Sequence, residues 1–409
     1  MVDFSVPEWV RKPVSPGVRG FALLAGIEAA ARGILLSVFP LAMYRALGDA
    51  GLVSELYFLV GIVSLVSGLM VPLLTRAVPR RWVFSLGTGL YLLGAAFGCI
   101  GGLLVPVALL CNSIATATVF VCFNAYVLDT VGKAELGRLE SLRLLYGGIG
   151  WTLGPVLGVW LLNWWPVTPF VISGVVAAVM LVSFWRMRMG AGRVIQRAKR
   201  ASPNPFVYLP QFLGQPRLVA GWLFAVIRSC GWWVYIVYLP IFAVENGLGD
   251  SVGGVAASMT NLGLFTAPLM LRWMQRRSVR QGVRTGFLLC GSAFLLATVL
   301  SLVPWATVGV MVLGSYCLVL LDICGGLPFL MSVKPSERAE MSAVYSSFRD
   351  VSGILTPGVA WVLLQMVPLA GIFAASGAAM LAAWAVAGRL HPQLGVPGAE
   401  RVRGVGQHG

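Results

Sequence analysis

The chain has 409 residues, 58% of them hydrophobic and 11% charged, with a mean hydropathy of +0.85 and a formal charge of +15. A water-soluble domain of this length carries about a quarter charged residues, so the composition excludes a soluble globular protein and places the chain in a bilayer. The positive charge raises a nucleic-acid reading, but its placement answers to a membrane instead, as the loops show.

Spans need about 20 apolar residues each, and the apolar runs predict helices near 20–46, 55–75, 82–103, 105–128, 141–163, 167–186, 218–243, 252–272, 283–303, 306–331, 341–364 and 368–388. The predicted fold is therefore an all-α membrane protein: twelve transmembrane helices in two pseudo-symmetric six-helix bundles. Its divisions are a cytoplasmic N-terminus (1–19), an N-terminal bundle (20–186), a basic cytoplasmic linker (187–217), a C-terminal bundle (218–388) and a disordered cytoplasmic tail (389–409). Ser202-Pro203-Asn204-Pro205 and several arginines give residues 187–217 the composition of a linker. Pro7, Pro13 and Pro16 precede a first span that carries charges, so no cleavable signal is expected.

Lys and Arg gather at Arg11 to Arg19, Arg76 to Arg81, Lys133 to Arg143, Arg186 to Arg217, Arg272 to Arg284, Lys334 to Arg338 and Arg389 to Arg403, after every second span. The alternate connections hold Asp49, Glu55, Glu245 and Asp250, with Arg45 their one basic residue, at a helix end. This is the positive-inside pattern with both termini in the cytoplasm, and it accounts for the basic charge without nucleic acid. All seven cysteines lie in apolar segments without disulfide or zinc spacing, and His391 and His408 fall in the tail. Neither a metal nor a cofactor is expected.

The second half repeats the first. Phe39-Pro40-Leu41 answers to Leu239-Pro240-Ile241, Gly48-Asp49 to Gly249-Asp250, Val71-Pro72-Leu73 to Ala267-Pro268-Leu269, Gly89-Leu90 to Gly286-Phe287, and Lys133 and Trp160 to Lys334 and Trp361. Offsets drifting only from 196 to 201 over five matches in one order are what two homologous halves leave.

Charges within the spans are costly and are expected to face a wet or protein-lined interior. Glu28 and Arg32 lie in helix 1, Arg228 in helix 7, Asp322 in helix 10, and Arg349 and Asp350 in helix 11, whereas helices 3, 6, 9 and 12 carry none inside and are left to face lipid. Glu28 and Arg32 are four apart in the order that favours an ion pair, at depths of roughly 12 and 18 Å. Glu28 then exchanges a proton while Arg32 competes for it or holds an anionic substrate; the bland reading is a permanent pair that orients helix 1. Arg228 stands at the position in helix 7 that Glu28 occupies in helix 1, so the two could meet near the pseudo-twofold axis. Asp322 has no charged neighbour on its own helix, and is read either as a proton carrier or as the partner of Arg228 or Arg349. Arg349 and Asp350 point about 100° apart and so reach other helices, for packing as much as for transport. Asp129, one turn from Lys133, reads as a helix-end feature. Trp232, Trp233, Tyr235, Tyr238, Tyr126, Tyr316 and Tyr345 either line a cavity or mark the membrane interface.

Helix 5 carries Gly150, Gly154 and Gly158 four apart, with Pro155 inside the stripe, so another helix can press close. With the twelve helices, the repeat, the basic central loop and the uncharged third and sixth helices, this chain resembles the major facilitator superfamily of secondary transporters. Gly150-x-x-x-Gly154-Pro155-x-x-Gly158 is similar to that family's antiporter motif, Ser141 replacing its further upstream glycine. Arg76, Arg80 and Arg81 resemble its cytoplasmic gate loop in their basic residues, while Thr75 and Val78 stand where the motif has Asp and Gly.

The resemblance implies a transporter of a small organic solute working by alternating access, in the bacterial inner membrane. The helix 5 motif points to proton-coupled efflux. Its expected partners are the solute, protons and membrane lipid, with no nucleic acid, and the chain is expected to be a monomer. A symporter or uniporter for a sugar or organic acid keeps the same fold. A polytopic membrane enzyme finds no intramembrane histidine cluster, paired carboxylates or Ser/His arrangement, and a transport-inactive sensor leaves the core charges unused. No Walker motif is present, so ATP is not the energy source.

Overall fold

The computed structural model describes residues 17–131, 136–187, 205–266, 269–270, 272–273, 277–324, 326–333, 341 and 344–389. Most of the expected N-terminus and linker and nearly all of the tail, together with Lys133 and Lys334, lie outside these residues, as do the side chains of Asp129 and Ser141.

Hydrocarbon offers no partner to a backbone N–H or C=O, so a chain this apolar satisfies them within helices. The described residues are helices joined by short turns, with no strand among them. The first half runs α1 (Val18–Leu35), α2 (Val38–Leu47), α3 (Ala50–Ala77), α4 (Arg80–Ile100), α5 (Val105–Thr130), α6 (Leu136–Trp164) and α7 (Thr168–Arg186). The second runs α8 (Pro205–Leu213), α9 (Pro216–Trp233), a π-turn (Val234–Tyr238), α10 (Leu239–Glu245), α11 (Ser251–Leu262), α12 (Val279–Val299), α13 (Pro304–Cys324), α14 (Leu327–Ser332), α15 (Phe348–Leu364) and α16 (Ala370–Ala387).

Among the described residues, ten stretches are long and apolar enough to cross a membrane. They match ten of the twelve expected spans. The other two, 252–272 and 341–364, hold the 12-residue α11 and the 17-residue α15, and their remaining turns run into residues that are not described.

Helix ends follow local chemistry. Gly48 (φ 70°) and Gly249 (φ 96°), which answer each other in the repeat, take the left-handed backbone of tight turns between helices. Pro240 cannot donate to the turn before it, and the chain widens into the π-turn just ahead of it.

The chain divides into two compact units, residues 1–39 with 62–201, and 40–61 with 202–409. In the first, α1 packs on α6 and α7, and α4 packs on α5 and α7. In the second, α9 packs on α15 and α16, and α12 packs on α13 and α16, so the repeat in sequence is a repeat in packing. The stretch 40–61 belongs to the second unit by contact: Tyr238 Oη donates to Ser54 Oγ at 2.9 Å with both side chains buried, Tyr57 meets the Trp233 ring edge-on at 6.1 Å, and Arg45 pairs with Asp250.

Candidate functional site

In each unit a carboxylate within a membrane-crossing helix gathers polar partners. In the first, the i,i+4 spacing on α1 brings Arg32 Nη1 to 3.0 Å from Glu28 Oε1. The same oxygen accepts a hydrogen bond from Tyr91 Oη at 3.2 Å, from α4. Tyr91 also meets Thr116 Oγ1 at 2.8 Å, and Thr116 donates to the Asn112 carbonyl on α5. Arg32 lies 5.1 Å over the Trp151 ring of α6, a cation–π contact. Arg32 and Tyr91 thus meet the carboxylate from α1 and α4, with α5 and α6 supporting those two side chains, and Glu28 keeps 20% of its side chain open.

The lack of charge in helix 3 leaves it to lipid, yet α4 places Tyr91, 3% exposed, against Glu28. Helix 6 likewise reaches inward, Ser173 Oγ donating to the Ala31 carbonyl at 2.9 Å. An uncharged helix can turn one face to lipid and another to protein, and absence of charge does not say which residues lie on which. Tyrosine and threonine on an apolar helix were the available signal for Tyr91 and Thr116, but only the register of the packed helices singles them out.

The glycine seam holds this cluster together. A Cβ at Gly150 would stand 2.8 Å from the Ala30 nitrogen, one at Gly154 2.7 Å from the Ile34 nitrogen, and one at Gly158 would strike the Ile34 carbonyl. From the other side, a Cβ at Gly33 would meet the Gly150 carbonyl. Backbone lies on backbone over the two turns of α1 that carry Glu28 and Arg32, and Pro155 is buried within the seam.

In the second unit, Arg228 Nε stands 3.0 Å from Asp322 Oδ1, a charge contact in which the N–H is not aligned on that oxygen. Trp232, one turn along α9, donates its Nε1 to Asp322 Oδ2 at 3.0 Å. Arg228 Nη1 also donates to the Leu321 carbonyl at 3.4 Å, and its guanidinium lies 5.3 Å over the Phe348 ring. Of the two partners expected for Asp322, Arg228 is the one that pairs with it. Each carboxylate takes its cation from its own unit: Glu28 from Arg32, Asp322 from Arg228.

Arg349 and Asp350 are exposed at the start of α15, Arg349 over the Phe348 ring at 5.6 Å, and Asp350 in the first turn where a negative charge suits the helix dipole. Arg76 ends α3, while Arg80 and Arg81 begin α4, Arg80 lying 5.3 Å over the Tyr126 ring and Arg81 6.0 Å over Trp82. Among the named aromatics, Trp232 reaches the site. Tyr235 and Tyr238 are instead core residues, 2% and 1% exposed, with their hydroxyls bonded to the Ala256 carbonyl and Ser54. Among the described residues no group of His, Cys, Asp and Glu is placed to hold a metal ion.

Solved structures of named transporters share this fold. The chain superposes on the nucleoside transporter NupG (TM-score 0.69, 13% identity, 92% of this chain and 100% of that one). It superposes on a POT family transporter in complex with a thioalcohol-conjugated peptide (0.71, 13%, 90% and 95%), and on a bacterial homologue of the iron transporter ferroportin in the inward-facing state (0.65, 16%, 90% and 97%). A search of curated proteins finds no match. The family model of the Major Facilitator Superfamily matches residues 21–357, a stretch that takes in Glu28, Arg32, the helix 5 glycines, Arg228 and Asp322. All-helical among its described residues apart from short turns, with membrane-crossing helices and a repeated packing order, this chain belongs to the Major Facilitator Superfamily and is a multi-pass membrane transporter, not an enzyme.

Proposed function

We propose that the protein moves a small organic solute by alternating access, coupled to protons and in the direction of efflux. The observation that carries this reading is Glu28, a carboxylate in a membrane-spanning helix that Arg32 and Tyr91 both address on Oε1. Its Oε2 takes no hydrogen bond among the described residues, and that oxygen is where a proton is taken up and released. When Glu28 is protonated its hold on Arg32 weakens, and Arg32 is freed for an anionic group of the solute. Asp322 and Arg228 form the second such pair, with Trp232 fixing the carboxylate.

Efflux rather than uptake is supported by the Gly150, Gly154, Pro155 and Gly158 seam and its likeness to the antiporter motif. Arg76, Arg80 and Arg81 are assigned to the cytoplasmic gate loop, and Arg349 and Asp350 to the solute pathway. The setting is a bacterial inner membrane, with both termini cytoplasmic and the chain a monomer. Nucleosides and peptides, named for two of the superposed proteins, favour a polar organic solute. Symport or uniport of a sugar or organic acid is the second reading, since the same pairs would serve it.

The test is proton flux in inside-out vesicles under an imposed pH gradient, with amphipathic cations, nucleosides, peptides, sugars and organic acids added in turn. Wild type is run beside Glu28→Gln and Asp322→Asn. A compound that collapses the gradient with wild type alone supports antiport. Solute movement without protons, or variants that behave as wild type, would sink the coupling and the assignment of both carboxylates.

A further inference from the structure

At the basic end of the second unit, the start of α12 faces the end of α16. Arg280 and Arg284 lie one turn apart on α12. Arg280 Nη2 donates to the Gly388 carbonyl at 2.5 Å, and Arg284 lies 5.2 Å over the Trp384 ring. Arg389 follows on α16, and Arg277 stands 5.9 Å over Trp273 just before α12.

Part of this is helix capping, because the last carbonyls of α16 carry partial negative charge that attracts cations. One carbonyl does not satisfy two guanidinium groups. Among the described residues, the Nε atoms of both Arg280 and Arg284 are buried without a hydrogen-bond partner, and Arg284 makes no ion pair or hydrogen bond. Buried charged donors call for an acceptor, and several arginines around one helix end call for an anionic one with more than one oxygen.

The surroundings say where that anion comes from. Leu288 lies one further turn along the Arg280–Arg284 ridge and is 38% exposed, and its neighbour Leu289 is 51% exposed. The arginine pair therefore stands beside an exposed apolar flank of α12, along which an acyl chain can lie below its headgroup. Trp273 and Trp384 are the amphipathic rings expected at that depth. Basic clefts between membrane helices are suited to anionic headgroups. We propose that the arginine cluster where the start of α12 meets the end of α16 binds the phosphate of an anionic phospholipid, held by Arg280 and Arg284 with Arg277 and Arg389 at its rim. The site lies within one unit, and needs only that the chain spans a bilayer; it is independent of what the protein transports.

Native mass spectrometry of the full chain, released from nanodiscs of equal phosphatidylglycerol and phosphatidylcholine, tests this. The wild type is expected to retain phosphatidylglycerol at least threefold over phosphatidylcholine. Arg280 also caps α16, so Arg284→Gln carries the main test and is expected to abolish the enrichment. The rim pair Arg277→Gln with Arg389→Gln, which leaves the capping bond in place, is expected to halve it. Equal retention of both lipids by wild type, or enrichment unchanged in both variants, would overturn the site. Loss of the bound lipid to millimolar inorganic phosphate, with no preference for the intact lipid, would assign the arginine cluster to a free anion and overturn the lipid.

Discussion

Asp322 neutralises Arg228 while 40% of its own side chain stays open, and Arg228 is 11% open, so the cation is the more committed partner. Removing one member of a fully buried pair costs several kcal/mol because the other charge is stranded. Here the partial exposure of Asp322 lets solvent screen part of that loss. Asp322→Asn is expected to lower stability by about 1–2 kcal/mol. Adding Arg228→Gln should recover part of it, and thermal unfolding of the purified single and double variants checks the sign of that coupling. A double variant no more stable than Asp322→Asn would show that the pair is not the source. Tyr91→Phe should cost about 1 kcal/mol by removing a donor to a charged acceptor. Thr116 keeps its bond to the Asn112 carbonyl, so its fold is retained. Glu28 and Arg32 were legible from their spacing because a helix repeats every 3.6 residues. Tyr91 was not, since nothing along α4 says which of its faces meets α1.

Among the elements, α6 is the most constrained by its neighbour. Gly154→Val would drive side-chain atoms into the Gly33 and Ile34 backbone, which has no rotamer with which to yield. Overpacking of this kind costs about 1–3 kcal/mol, and it should part the helix carrying Glu28 from Trp151. We expect Gly154→Val to lose transport and melt earlier. Gly148 lies on the same helix, and a Cβ there would find nothing within 4 Å, so Gly148→Ala should match wild type in both assays. Equal behaviour of the two variants would remove the seam from the mechanism. The glycine spacing was readable, but a stripe of small residues does not name the helix pressed against it. Helix 7 departs from its sequence in a similar way. It reads as one continuous span, yet Pro240 withdraws a donor and the turn before it opens into a π-turn.

At the scale of the molecule, residues 40–61 pack with the second unit although they lie in the first half of the chain. Their contacts differ in strength. Arg45 and Asp250 are an exposed pair worth about 0–1 kcal/mol, whereas Tyr238 and Ser54 share a buried hydrogen bond. Asp250→Asn should therefore leave the melting temperature nearly unchanged, and Tyr238→Phe should lower it. A larger loss with Asp250→Asn would reverse that ranking. The charge pattern further predicts that a cysteine placed at Gly48 or Gly247 reacts with an impermeant maleimide from outside the cell, while one in 187–217 does not. Labelling of the opposite set would invert the topology.

Composition and the order of apolar and basic segments determined that this is a helical membrane protein built on a repeat. Burial of backbone polar groups and placement of Lys and Arg act on every residue, and so leave their mark along the whole chain. Glu28, Arg32, the helix 5 glycines and Arg228 as a candidate partner of Asp322 were legible for the same reason: spacing or scarcity of charge makes each stand out locally. The tertiary structure alone decided that Tyr91 and Ser173 turn inward, that Asp322 takes Arg228, that Gly33 answers Gly154, and that 40–61 pack with the second unit. Each of these depends on the rotation and register of one helix against another. Side-chain packing between elements sets those two variables, and no periodicity within a single helix encodes them.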